Sequence, residues 1–234
     1  MRERAAPEVR SARDDRAVRV RRLGHTGDPH ALGREVHLAN DANCLALSEV
    51  IDGAAAGSKV TFAAILGTGC GGGLVVNGKL VEGAHGLGGE WGHTPLPWPT
   101  HAEIEVPQCW CGQRGCLEMW VSGSGLQRDH AAVTGERHTS EEIVERARGG
   151  DMQAQGALVR YVDRLGRGLA MICNIVDPDT IVLGGGLSNV TGLYEQLPPI
   201  VAKHIFSDRW NGRIVRARWG DSSGVRGAAR LWME

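Results

Sequence analysis

Three cysteines of this 234-residue chain fall within eight residues, at Cys109, Cys111 and Cys116, and His93 lies fifteen intervening residues upstream. Thiolates and imidazole are donors that zinc takes, and four of them complete its tetrahedron. Cys109-x-Cys111-x4-Cys116 with His93 therefore reads as a closed structural site with no position for a metal-bound water. Gly112 and Gly115 let the chain bend tightly enough for the sulfurs to converge. Reduced thiols without a metal are the plain alternative, but a loop poor in apolar residues has no packing reason to collect cysteine. The crowded spacing also suits a metal in a reducing compartment better than a disulfide framework.

The stretch Gly67-Thr68-Gly69-Cys70-Gly71-Gly72-Gly73 matches the dinucleotide fingerprint in form, yet that motif works where it opens a helix onto a pyrophosphate. Here Leu74-Val75-Val76 and an Asn77-Gly78 turn follow, so the glycines join strand to strand. Such a turn either aims backbone N–H groups at phosphate oxygens or is merely tight, and the motif alone leaves both open. Gly184-Gly185-Gly186, after another strand, marks a second close approach of backbone to a ligand or a neighbouring segment. Asn40-Asp41-Ala42-Asn43 stands where a strand meets a helix. An Asp there is a helix cap or, with a substrate hydroxyl in reach, a general base. Glu90, in Gly89-Glu90-Trp91-Gly92-His93, and Glu118, two residues after Cys116, tether two more carboxylates to the cysteine loop; solvated loop acids are the plain reading of both.

These groups need a scaffold, and the pattern supplies one. Val36-His37-Leu38 reads as a short strand before a helix through Leu45, Leu47 and Val50, and residues 60–66 form a β-rich run. Thr139-x-x-Glu142 is a capping box for a helix that stops at Gly149-Gly150. Leu158, Val162, Leu165, Leu169, Ile172 and Val176 share one helical face, which Asp177-Pro178 closes. A strand over 180–183 and a helix over 193–205 follow, so strands and helices mix without a repeat, the signature of α/β layers. Residues 82–118 are loop-rich.

The chain carries 34 glycines, about twice average usage. At 42% hydrophobic, 23% charged and a net charge of −1, it offers no field for gathering nucleic acid or an anionic membrane. No apolar run reaches the roughly 18 to 20 residues that span a bilayer, and no signal peptide opens the chain, so a cytoplasmic protein is expected. Residues 1–33 mix eight arginines with acids, Arg34 following directly, and only 18–23 resembles a strand. That composition buries too little apolar surface to offset its ordering entropy, so this leader is expected to be disordered or unrelated to the rest.

Taken together, Asn40-Asp41-Ala42-Asn43, the 67–73 glycines, Gly89-Glu90-x-Gly92-His93, Cys109-x-Cys111-Gly112-x-x-Gly115-Cys116-Leu117-Glu118 and Asp177-Pro178-x-x-Ile181-Val182-Leu183-Gly184-Gly185-Gly186 resemble, in this order and spacing, the ROK (repressor, ORF, kinase) family of bacterial sugar kinases and sugar-responsive repressors. The likeness covers residues 34–234. Trp91, Pro95-Leu96-Pro97-Trp98 and Gly220-Asp221-Ser222-Ser223-Gly224 are most similar to the family's fructokinases. The resemblance implies an actin-like ATPase (ribonuclease-H-like) fold whose two α/β lobes close over ATP, taken with Mg2+, and a hexose. By position it makes Asp41 the base for the sugar hydroxyl, with Asn40, Asp41, Glu90, His93 and Glu118 gripping the sugar. It assigns ATP to Gly67, Thr68, Gly69, Cys70, Gly71, Gly72, Gly73, Leu74, Val75 and Val76 and, near the nucleoside, to Gly184, Gly185 and Gly186. His93, Cys109, Cys111 and Cys116 would bind structural zinc, fixing the loop that bears Glu90 and Glu118. Hexose and ATP are then the partners, with a homodimer allowed and no nucleic acid or membrane.

Kinases of this family open with an Asp-x-Gly-Gly-Thr-Lys-type phosphate loop, and no such loop occurs here. The expectation is a chain that represents mainly the second lobe, turns over weakly or not at all, and leaves Val225, Leu231 and Trp232 of a last helix partly exposed. A non-catalytic sugar-sensing or regulatory member of the family is the alternative, although residues 1–33 are too short and too mixed in charge for a DNA-binding domain.

Overall fold

The computed structural model describes residues 39–104 and 108–232. The leader over 1–33 and the strand expected at Val36-His37-Leu38 lie outside the described residues. Among the described residues five strands form one mixed sheet: β1 (Val60–Leu66), β2 (Cys70–Val76), β3 (Lys79–Leu80), β4 (Thr180–Gly184) and β5 (Arg213–Arg216), in the order β3-β2-β1-β4-β5. β1 runs antiparallel to β2 and parallel to β4, and β4 is parallel to β5. Asn77 and Gly78 both take positive φ, 51° and 78°, which is the tight two-residue turn that the Asn-Gly pair predicts.

Side chains alternate across β1 and build two cores. On one face Ala63 joins Val75, Val182, Leu45, Ala46 and Ala217, beneath helix α1 (Asp41–Asp52). On the other, Phe62, Ala64 and Leu66 meet Trp91, Leu117, Leu165, Leu169, Ile181, Leu183 and Leu197 in the main core. Helices α2 (Glu118–Val121), α3 (Gly123–Thr134), α4 (Ser140–Arg148), α5 (Met152–Val176) and α6 (Leu193–His204) cover that face, and α7 (Ser223–Arg230) closes on α1. α4 starts on the expected capping box, in which Glu142 N–H bonds the Thr139 hydroxyl and Thr139 N–H bonds the Glu142 carboxylate. α5 ends at Asp177, whose φ of 46° turns the chain out before Pro178. Val225 and Trp232 stand largely exposed, as expected of the last helix, and Leu231 is half-buried. Among the described residues no helix is long and apolar enough to cross a membrane.

An ionic network ties α5 to the loop carrying the cysteines. Glu103 is 7% exposed and accepts from Arg164 Nε at 2.7 Å and Arg167 Nη2 at 2.8 Å, while Arg164 reaches Asp129 Oδ1 at 2.6 Å and lies over the Trp120 ring. Burial opposes ionisation of Glu103, but the two guanidinium groups and the Thr100 N–H overcome it and hold its pKa at about 2 against an ordinary 4.5. A depressed folded pKa contributes stability above the unfolded value and loses it as pH falls through the folded one. Acid should therefore remove about 3 kcal/mol between pH 4.5 and 2. Melting temperature against pH in the native chain and in Glu103→Gln checks this. The variant should be less stable at neutral pH, because two buried guanidinium groups lose their counter-ion, and should show a flatter acid limb.

Candidate functional site

The glycines of β2 let separate parts of the chain approach its backbone from both faces. A Cβ on Gly73 would stand 2.5 Å from the Ala42 carbonyl oxygen, and one on Gly71 would be 3.4 Å from the Ala42 Cβ and 4.0 Å from Asp41 Oδ1, so the first turn of α1 rests on this face. On the opposite face a Cβ on Gly72 would meet the Gly89 oxygen at 2.5 Å and the Trp91 ring at 2.7 Å. Trp91 Nε1 donates to the Gly71 carbonyl at 3.0 Å, and a Cβ on Gly92 would fall 2.1 Å from the Cys70 oxygen. A Cβ on Gly69 would be 2.8 Å from Glu118 Oε2. One glycine strand thus draws Asp41, the Gly89-Glu90 turn and Glu118 to the same end of the sheet. Gly73→Ala should drive α1 off the strand, because backbone rather than a pliant side chain stands in the way. We expect a loss of about 2 kcal/mol in urea unfolding together with weakened ligand binding at Asp41.

The cap of α1 is Asn40, whose side chain accepts from Ala42 N–H at 2.8 Å, and not Asp41. Asp41 is the first helical residue and is exposed, with Oδ1 2.8 Å from the same N–H. Oδ1 thus shares the capping N–H with Asn40, and among the described residues Oδ2 is left for another donor. Glu90 precedes a 3-10 turn, Trp91–His93, and is half-buried. Glu118 opens α2; Oε2 accepts from Cys70 N–H at 2.9 Å and Oε1 from Trp110 Nε1 at 2.7 Å. Burial, followed by the charges of Glu118 and Glu90, pushes the Cys70 thiol well above its ordinary range and keeps it a neutral packing group.

His93, Cys109, Cys111 and Cys116 place their donor atoms within 4.8 Å of one another, and the three sulfurs are buried. Cys111 Sγ and Cys116 Sγ are 3.5 Å apart, and His93 Nδ1 is 3.7 Å from Cys109 Sγ. A tetrahedron of Zn–S bonds near 2.3 Å has edges of about 3.8 Å, so the donors are already at its spacing. Gly112 and Gly115 take φ of 89° and 77°, the bends that the sequence implied. Burial, then hydrogen bonding to Cys111 and the neighbouring sulfurs, pushes Cys116 up to about 12, so these sulfurs carry negative charge together only beside a cation. The donor set fits zinc, held by four protein ligands.

On the far side of the 67–69 turn lies a cleft of about 560 Å3, lined by Gly67, Thr68, Thr139, Ser140, Gly186 and Val190 among others. The turn is held by Gly123 N–H on the Gly67 carbonyl at 2.7 Å and by the Ser124 hydroxyl on the Thr68 carbonyl at 3.0 Å. Cys70 gives its N–H to Glu118, and residues 70–76 form the ladder with β1, so of the stretch assigned to phosphate only Gly67 and Thr68 line this cleft. The triple glycine divides its work. Gly184 packs under Leu45, Gly185 at φ 82° passes Leu66 where a Cβ would be 2.7 Å from its carbonyl, and Gly186 opens into the cleft. The Thr139 cap also lines the cleft, a role its capping signature did not announce.

Glu49 was invisible in the sequence as a site residue. It is completely buried on α1 and accepts from Ala54 N–H at 2.8 Å, Arg218 N–H at 3.0 Å, Trp219 N–H at 3.3 Å and the Ser223 hydroxyl at 2.9 Å. It pins the loop containing Gly220-Asp221-Ser222-Ser223-Gly224 against the helix that presents Asp41.

The ROK family is matched over residues 29–234. The N-acetyl-D-glucosamine kinase of Photobacterium profundum is 42% identical over 204 residues, covering 86% of this chain and 67% of the relative. A solved ROK hexokinase from Thermus thermophilus superposes with a TM-score of 0.77 at 34% identity, over 86% of this chain and 66% of that one. A ROK family glucokinase from Streptomyces griseus, solved with glucose and AMPPNP, superposes at 0.75 with 29% identity, over 87% of this chain and 70% of that one. The chain spans about two thirds of the length of these relatives. With the family matched across most of the sequence and with this identity to its sugar kinases, the chain belongs to the ROK family and carries the mixed α/β architecture of the actin-like ATPases.

Proposed function

We propose that this protein serves ATP-dependent phosphorylation of a hexose, with residues 34–234 forming the second lobe of the kinase and Asp41 the general base. The observation that carries the reading is the gathering of Asp41, Glu90 and Glu118 at one end of a glycine strand whose preceding turn, 67–69, borders a nucleotide-sized cleft. Pockets of roughly 300 to 1,000 Å3 take small molecules and cofactors, and this cleft lies in that range. Asp41 would accept the proton of the attacking hydroxyl, while Asn40, Glu90, His93 and Glu118 accept or donate hydrogen bonds to the rest of the sugar. ATP would arrive with Mg2+ and lie along the 67–69 turn and Gly186. Phosphoryl transfer asks chiefly for positioning and charge neutralisation, and a zinc ion at the cysteines would contribute only by fixing the loop between Glu90 and Glu118.

D-Fructose is the hexose that the Pro95-Leu96-Pro97-Trp98 and Gly220–Gly224 residues favour; the names of the relatives favour N-acetyl-D-glucosamine as the second reading. Calorimetry of the purified chain with D-fructose, N-acetyl-D-glucosamine, D-glucose and D-mannose ranks them. We expect fructose to bind best and Glu90→Gln to weaken it about tenfold or more, since a carboxylate-to-hydroxyl bond is lost. Tightest binding of N-acetyl-D-glucosamine would transfer the assignment to that sugar, and failure of all four to bind would remove the hexose reading.

A further inference from the structure

Trp110 sits between Cys109 and Cys111, both buried, yet its own side chain is 51% exposed. Among the described residues its indole meets partners of different kinds. Nε1 donates to Glu118 Oε1 at 2.7 Å, and the ring stands edge-on to His93, with centroids 4.8 Å apart and planes at 86°. The second oxygen of Glu118 is held by the sheet, through the Cys70 N–H at 2.9 Å. The carboxylate is thus set at one oxygen by β2 and at the other by the cysteine loop. Hydrogen bonds to an ionised acceptor are the stronger kind, and each oxygen keeps a lone pair for another donor, so this arrangement fixes Glu118 without using it up.

The rigidity of that second hold depends on the backbone of residues 109–111. This backbone is a tight turn, in which Gly112 N–H bonds the Cys109 carbonyl at 2.9 Å and Cys109 N–H bonds the Gln113 carbonyl at 2.8 Å. Its flanking sulfurs converge on the cluster that fits zinc. When the cluster is closed, Trp110 is anchored on both sides and its two side-chain torsions alone aim the indole N–H. When it opens, those anchors go. Mere packing explains neither the half-exposed ring nor the N–H directed at a carboxylate.

We infer that Trp110 is a positioning residue that transmits the state of the Cys-His cluster to the carboxylate of Glu118, and through it to the affinity for hexose. The last step rests on the hexose-kinase reading; the link between cluster, indole and carboxylate does not. The test uses the full chain, 15N-labelled, with the Trp110 indole resonance identified by its loss in Trp110→Phe. That resonance should move in Glu118→Gln and again when a chelator removes zinc at neutral pH. In calorimetry with the hexose that binds best, Trp110→Phe should weaken binding about tenfold at unchanged zinc content. Trp110→Phe combined with Glu118→Gln should bind no worse than Glu118→Gln alone, because the indole acts through that carboxylate. Trp110→Tyr serves as the second variant if the phenylalanine form loses zinc. An indole resonance indifferent to both Glu118→Gln and chelation would overturn the link, as would equal losses from Trp110→Phe in the two backgrounds. If the native chain binds no hexose, the kinase reading falls by itself, and the resonance still decides the link.

Discussion

In a chain joined to a first lobe that carries the phosphate loop, Asp41→Asn should reduce sugar-dependent phosphorylation by at least about 100-fold while hexose affinity changes by less than about threefold, the pattern of a lost general base. The amide keeps the size and hydrogen-bonding capacity of the carboxylate but takes no proton. Stability should be nearly unchanged, because the helix cap is Asn40 and its bond to Ala42 N–H survives. Asn40→Ala separates the two residues. It should cost about 1 kcal/mol in unfolding and leave turnover per folded molecule closer to native than Asp41→Asn does. The measurement is sugar-dependent ADP formation at the high protein concentration that slow turnover requires, with calorimetry of the same samples. Near-native turnover in Asp41→Asn would return that residue to a plain place in the first turn of α1.

Loss of the metal should have a comparably large effect on the loop between His93 and Glu118. We expect one zinc per chain in protein purified without added metal, and Cys111→Ser to abolish it. Among the described residues the segment has little regular structure, one 3-10 turn at His101–Glu103 and the isolated bridges Pro95 with Cys116 and Gln108 with Arg114; the Arg164 and Arg167 bonds hold it at residues 97–103, and the cluster is what gathers the part around the cysteines. Without a cation the buried sulfurs revert to neutral thiols and the four-way constraint disappears, so proteolysis at residues 94–115 should accelerate by orders of magnitude. The sheet should remain folded, since the main core of β1, β4, α5 and α6 does not pass through the cysteines. Zinc content well below one per chain, or an unchanged cleavage rate in Cys111→Ser, would sink the site.

Much of the scaffold was legible because its signals are local. The Asn77-Gly78 turn, the Thr139 capping box, the apolar stripe of α5 and the stop at Asp177-Pro178 each depend on residues within one or two turns of chain, and all formed as the spacing predicts. The cysteine cluster was legible for a related reason: three donors lie in one short loop and the fourth joins them beside the Pro95–Cys116 bridge. Residue chemistry by itself therefore determined α1, α4, α5, α6 and α7, the strands β1, β2 and β4 and a four-donor cluster, while α2, α3 and β5 carry no comparable local signal.

Tertiary structure decided the rest. The glycines at 71–73 read as part of a loop, but they are strand residues, and only packing shows that their missing side chains admit α1 on one face and the Gly89-Glu90 turn on the other. Glu103 and Glu49 look like ordinary acids in sequence; the guanidinium partners of Glu103, Arg164 and Arg167, lie 61 and 64 residues away, and the farthest partner of Glu49, the Ser223 hydroxyl, 174. No local pattern records such pairings, because a buried carboxylate is tolerated only where the whole fold brings donors to it. The division of the glycine stretch, with Gly67 and Thr68 on the cleft and Cys70 bound to Glu118, is of the same origin. Sequence spacing names the groups able to do the chemistry, while the direction in which each N–H and carboxylate points is fixed only when distant segments close on one strand.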